Sequence, residues 1–194
     1  YAALDATTTG SENTAVGASA LGANTTGYQN VAMGRFAGNL ITDGYENTAI
    51  GYRSLSQCTT GDHNTAIGHD ALEQVSTGSY NTALGRDAGR SITTGSNNIC
   101  VGENTNDAGD TTGVIAIGSF ALTTNTADHN VAIGYFAGRL NTSGSGNVAL
   151  GANALEANTT GGANTAVGRS AMLNSTTGDN NTAVGYASLD ANTT

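Results

Sequence analysis

Eleven glycines close eleven copies of one short unit. Asn13-Thr14-Ala15-Val16-Gly17 returns as Asn30-Val31-Ala32-Met33-Gly34, then as Asn47-Thr48-Ala49-Ile50-Gly51, and so on to Asn181-Thr182-Ala183-Val184-Gly185. The closing residues are Gly17, Gly34, Gly51, Gly68, Gly85, Gly102, Gly118, Gly134, Gly151, Gly168 and Gly185, spaced 17 residues apart except for two steps of 16 about Gly118. A unit of this length cannot bury a core by itself, so the pattern predicts stacked coils in one repeat array over residues 1–194.

Composition limits how thick those coils can be. Aromatic content is 5%, tryptophan is absent and 28 positions are glycine. The recurring apolar positions hold Ala and one aliphatic residue, which implies a thin coil with its backbone close around small side chains. Stability must then come from stacking many coils and from neighbouring chains. The formal net charge is -9, with six arginines and no lysine, which argues against nucleic-acid and anionic-membrane partners. No transmembrane run and no signal peptide is visible. The chain begins and ends inside repeats, so we expect it to belong to something longer.

Residues 13–29 serve as the template of a coil. Thr14-Ala15-Val16-Gly17 reads as a strand, Ser19-Ala20-Leu21 as a second short strand, and Asn24-Thr25-Thr26-Gly27 as a turn in which Gly27 is free to take positive φ. Helix is disfavoured because glycines interrupt every candidate and no 3.6-residue period survives. Alternation along the strand sends the Ala column and the aliphatic column (Val16, Met33, Ile50, Ile67, Leu84, Val101, Ile117, Ile133, Leu150, Val167, Val184) to opposite faces, both apolar. One face lines the coil. In a single chain the other remains an exposed stripe, and its simplest cover is further copies of the chain in a parallel homotrimeric ring.

A column of Asn13, Asn30, Asn47, Asn64, Asn81, Asn98, Asn130, Asn147, Asn164 and Asn181 is interrupted only by Val114. It is expected to form an amide ladder between coils, a structural role rather than a ligand site. Cys100 stands in the Ala column and is expected to be buried. Cys58 falls in an outer turn, in a different column, too far away to form a disulfide with it. Coils around 103–130 break the pattern, with Asp128 where a turn glycine is expected. A fainter echo puts Phe36-Ala37-Gly38, Asp87-Ala88-Gly89 and Phe136-Ala137-Gly138 in place of the usual Ala-Leu.

At Asn130-Val131-Ala132-Ile133-Gly134 and Asn147-Val148-Ala149-Leu150-Gly151 the repeat resembles the head domains of trimeric autotransporter adhesins. The longer unit at residues 158–172 looks still more like arrays in phage-type tail fibres. The resemblance covers essentially the whole chain. It implies an all-β, left-handed parallel β-roll or solenoid of about eleven 17-residue coils, homotrimeric, placed extracellularly, on a cell surface or on a virion. The adhesin heads usually have shorter coils, so this resemblance leaves the cross-section open.

No catalytic set clusters, and phosphate-loop, zinc and calcium-roll motifs are absent, so the chain reads as a non-enzymatic protein without a cofactor. Hexapeptide acyltransferases also coil leftward, but their coil carries three aliphatic hexads where this one has a single strong element. Asp62, His63, His69 and Asp70 form the densest group of metal-ligand types, in variable pairs expected to face solvent. Ice binding is suggested by Thr25-Thr26, Thr59-Thr60, Thr159-Thr160 and Thr176-Thr177, in columns read as broken at Ile41, Val75 and Asn125. Binding belongs in the variable columns. The candidates are Phe120, Tyr135, Phe136 and Tyr186, taken as one aromatic patch, with Tyr52 and Arg53, facing a cell-surface glycan or protein receptor. The competing reading has Arg53, Asp70 and Arg86 pairing across coils. The function expected is an adhesive fibre segment that projects a host- or surface-binding face, with a purely structural stalk or coat component as the alternative.

Overall fold

The computed structural model describes residues 2–190, an all-β parallel β-solenoid of about ten turns of about 17 residues, with no helix among them. The chain divides into two compact units, Tyr1–Asn98 and Ile99–Thr194. In the first, β1 (Thr14–Val16), β2 (Val31–Met33), β3 (Thr48–Ile50), β4 (Thr65–Ile67) and β5 (Thr82–Leu84) pair in sequence order, all parallel. The second holds β6 (Ile99–Val101), β7 (Ile115–Ile117), β8 (Val131–Ile133), β9 (Val148–Leu150), β10 (Thr165–Val167) and β11 (Thr182–Val184), paired the same way. Equivalent residues face each other in every pair, as Ala49 does Ala66.

Each coil contains one strand, not the two expected. The Ser19-Ala20-Leu21 run and its equivalents form a turn in which alternate residues are left-handed, Ser19 at φ 57° and Leu21 at φ 48°. A left-handed non-glycine residue costs about 1 kcal/mol or more. Here the same residue bonds the next coil: the Leu21 N–H donates to Ala37 O at 3.0 Å, and the Leu55 N–H to Ala71 O at 3.0 Å. Stacking therefore holds a conformation that the isolated unit would not keep. The turn glycines also differ from expectation. Gly27 does not take positive φ, whereas Gln29 two residues later does, at φ 55°. What this column needs is space, since a Cβ on Gly44 would lie 2.6 Å from Gly61 O.

Inside the coil, the Ala column is buried, with Ala32, Ala66 and Ala83 fully so. Leu21, Leu55 and Leu72 fill the interior from the fourth residue after the closing glycine, and Asn24, Cys58 and Val75 follow three residues later. This column corrects two readings. Cys58 is a buried free thiol, as Cys100 is, and burial pushes both thiols up to about 12. Ile41 and Val75 belong to the same inner column and do not interrupt the threonines. Thr25, Thr42, Thr59 and Ser76 lie in register, each hydroxyl donating to the carbonyl of the next coil at 3.1–3.2 Å. In the second unit Ala127 occupies the turn-glycine column, while Asp128 accepts from the Thr112 N–H at 2.8 Å.

Two of the three echo coils show a compensation inside the coil. Where the inner leucine is replaced by Gly38 or Gly89, the inner column carries Ile41 or Ile92, both buried. A Cβ on Gly38 would meet Ile41 Cδ1 at 3.0 Å and Leu21 Cδ2 at 3.1 Å, so the isoleucine fills what the glycine leaves. Volume is conserved within the coil while its position moves.

Candidate functional site

The surface with the clearest unmet chemistry is the outer face of the strands. Residues one and three of each strand point outward, giving a Thr/Val/Ile column beside the aliphatic column. In the first unit Met33 is 43% exposed and Leu84 48%, with Ile50 and Ile67 half-buried. In the second, Ile133 is 41% exposed, with Val101, Ile117, Leu150 and Val167 half-buried. The stripe expected of a single chain is present.

The asparagine column borders this face at the start of each strand and forms the expected ladder. The Asn47 amide nitrogen donates to Asn30 Oδ1 at 3.1 Å and to Gly61 O at 2.8 Å, and its own Oδ1 accepts from the Asn64 N–H at 2.9 Å. The pattern repeats from Asn13 to Asn98, and from Asn130 to Asn181 beyond the buried Val114. A second ladder, which the sequence reading missed, runs inside the second unit from Asn158 to Asn141 to Asn125 to Asn106, at 2.8, 2.9 and 3.2 Å. Asn158 Oδ1 ends it without a partner, beside a cavity of about 10 Å³ lined by Leu122, Gly138, Asn141 and Leu155.

In the first unit, the flank that follows the strand carries Arg35, Tyr52, Arg53, His69, Asp70, Arg86 and Asp87. Arg53 grips Asp70 with Nε at 2.9 Å and Nη2 at 2.7 Å, and reaches Glu73 at 3.2 Å. Arg90 holds the same Glu73 at 2.9 Å. The expected cross-coil pair Arg53–Asp70 therefore forms, and Arg86 meets Asp87 of its own coil at 3.1 Å. Asp70 is buried, not solvent-facing as expected. Burial opposes its ionisation most strongly. The Arg53 hydrogen bonds, with the charges of His69, Arg53 and Arg90, together hold it below the usual carboxylate range.

The metal-ligand types separate. His69 and Asp70 gather with Asp87, their ligand atoms within 4.8 Å of one another, while Asp62 and His63 lie on the opposite flank. Since Arg53 and Arg86 already neutralise both carboxylates, the group is accounted for as an ion-pair network.

Aromatic side chains form three groups. Tyr52 contacts Phe36 at 6.4 Å and His69 at 5.1 Å, and Arg35 lies over Phe36 at 4.6 Å beside a recess of about 170 Å³. On the other flank, before the strand, Tyr28, Tyr45, His63 and Tyr80 form a continuous ladder with centroids 4.9, 5.2 and 4.8 Å apart. Asp62, with burial second, pushes the Tyr45 hydroxyl above its ordinary range. Sequence reading noted these tyrosines without seeing that one coil of rise matches ring-stacking distance. In the second unit Phe120, Tyr135 and Phe136 come together as expected. Tyr135 stacks on Phe136 at 3.9 Å, and Phe120 meets Phe136 at 5.4 Å. Arg139 covers Phe136 at 4.5 Å and pairs with Glu156 at 2.8 Å. Tyr186 does not join them. It follows β11, three coils beyond Tyr135, and is highly exposed.

No protein-family profile matches the chain, and no curated protein or solved structure matches it.

Proposed function

We propose that the chain is a structural and adhesive segment of an extracellular or virion fibre, built from three parallel copies coiled left-handedly, which projects a host- or surface-binding face. The observation that carries this reading is the half-exposed apolar face of the strands, recurring in every coil. An uncovered stripe of this kind on a thin coil is costly in water, and identical copies related by rotation cover it without any additional partner. The Phe120, Tyr135 and Phe136 cluster is the contact we assign to a glycan or protein receptor, because it joins three aromatic rings of neighbouring coils with Tyr135 exposed. A stalk without a receptor is the second reading. It is favoured by the Tyr28, Tyr45, His63 and Tyr80 ladder, in which Tyr28 stacks on Tyr45 and His63 on Tyr80, so that ring faces are engaged within the chain.

The test is the mass of the assembled chain by sedimentation, in the wild type and in Ile67→Asp. Ile67 is half-buried in the single chain, so aspartate is tolerated there by one coil but not by a face covered by other copies. Three chain masses are expected for the wild type and dissociation for the variant. A monomeric wild type at micromolar concentration, or a variant that assembles unchanged, refutes the trimer.

A further inference from the structure

In the first unit the turn after the strand is filled around β3, β4 and β5 and open between the coils of β1 and β2, and we propose that the open part binds the acidic end sugar of a glycan. This rests on the adhesive reading above and adds to it a second contact and a ligand class. One, two and five residues after the closing glycine, the filled coils carry Tyr52, Arg53, His69, Asp70, Glu73 and Arg90. Arg53 and Arg90 tie these columns together through Asp70 and Glu73. At the same three positions the coil of β1 has Ala18, Ser19 and Gly22, and the coil of β2 has Arg35, Phe36 and Asn39. Small residues beside large ones make a step in the stack. One recess of about 170 Å³ opens there between Ala18, Ser19, Arg35 and Phe36. A second, of about 260 Å³, is bounded by Asp5, Ser19, Gly22 and Asn39 with their neighbours, so Ser19 is a wall of both.

Arg35 is the one arginine of the first unit without an acidic partner among the described residues, and its guanidinium lies over the Phe36 ring, 4.6 Å from the centroid. Stacking fixes the plane of the fork and leaves its N–H edge for a carboxylate. Phe36 adds an apolar wall suited to the C–H face of a sugar ring. Beyond Ser19 the chemistry changes. Asp5 only accepts hydrogen bonds when ionised, while the Ser19 hydroxyl and the Asn39 amide both donate and accept. A ligand reaching from Arg35 toward Asp5 therefore needs a carboxylate at one end and hydroxyl donors at the other, which an acidic sugar has. A glutamate side chain carries its carboxylate on a methylene stem without donors. The recess beside Arg35 is also smaller than the roughly 300–1,000 Å³ of a drug-sized pocket, so it admits one ring-sized end group.

The experiment uses the full 194-residue chain on immobilised digalacturonate and sialyllactose, with digalactose, lactose and a glutamate-rich peptide as comparison surfaces, at about 0.15 M salt. A chain of net charge -9 is repelled by acidic surfaces as a whole, so retention on them reports a local site. Wild type should be held on at least one acidic sugar about tenfold or more tightly than on its neutral counterpart or the peptide. Arg35→Gln should abolish that preference. Ser19→Phe should lose retention by filling the step, and the backbone suits the change, since Phe36 and Arg53 hold the same column at φ 61° and 52° and Ser19 at 57°. Both variants should keep the wild-type circular dichroism spectrum. Equal retention on the neutral sugars or the peptide, retention that either variant leaves unchanged, or no retention on either acidic sugar overturns this site. Cell attachment that Arg35→Gln leaves intact and that replacing Tyr135 and Phe136 removes keeps the adhesive reading without this site. A wild type that attaches neither to cells nor to any of the sugars overturns both.

Discussion

Asp70 shows how one residue can be both buried and charged in a coil too thin to hide it well. It is 4% exposed, and its carboxylate survives only because Arg53 donates two hydrogen bonds and lies across its coil boundary. Since the folded state holds Asp70 below the ordinary carboxylate value, the stabilisation is complete above the unfolded value of about 3.9 and is lost as pH falls through the folded one. Asp70→Asn should therefore destabilise the chain by about 1–3 kcal/mol at neutral pH, with the gap from wild type constant above about pH 5 and closing below about pH 4. Denaturant unfolding of both proteins between these limits measures it. A gap independent of pH would assign the loss to packing rather than to the ion pair.

At the scale of the coil, the inner pair of columns behaves as exchangeable parts. Leu21 with Asn24, Gly38 with Ile41 and Leu55 with Cys58 are three fillings of one cross-section. The Gly138 coil departs from this rule. Gly138 approaches Leu122 as Gly38 approaches Leu21, but Asn141 stands where Ile41 would, and the cavity of about 10 Å³ lies beside it. Removing the Asn141 amide leaves its partners supplied. Gly144 O keeps the Asn130 amide at 2.8 Å, Asn125 Oδ1 keeps it at 3.0 Å, and the Asn158 amide keeps Gly161 O at 2.9 Å. Asn141→Ile should thus raise stability by about 1–2 kcal/mol, while the reverse change Ile41→Asn should lower it by about 2–4 kcal/mol. Melting curves of the two variants decide the matter, and a destabilising Asn141→Ile would mean that the inner asparagine ladder is itself needed. The outer Asn column and the Ala column were legible because each repeats in almost every coil. The inner column was not, since Asn24, Ile41, Cys58 and Val75 share a position but no chemistry, and only the register of the stack reveals that they are one column.

Over the whole molecule, the period in the sequence predicted parallel stacking, coil length and an apolar outer stripe, because close backbone contact leaves glycine no substitute at Gly34 or Gly44. The single strand per coil was hidden, since left-handed serines and leucines carry no compositional mark and are held by bonds between coils. The binding surface was half legible: neighbouring coils bring Phe120, Tyr135 and Phe136 together, while Tyr186 is too many coils away to share their contact. Adhesion and scaffolding make different demands on that cluster. Tyr135 is 52% exposed and Phe136 lies between Tyr135 and Arg139, so neither belongs to the Ala column, the aliphatic column or the coil interior. Replacing both by serine should leave the sedimentation mass unchanged and shift the melting temperature little. If the cluster meets a receptor, attachment to cells or immobilised glycans should fall at least tenfold, the loss typical of an aromatic anchor at about 1.4 kcal/mol or more. Attachment that survives the double substitution in a chain of unchanged sedimentation mass moves the receptor contact elsewhere, and absence of attachment in the wild type favours the stalk.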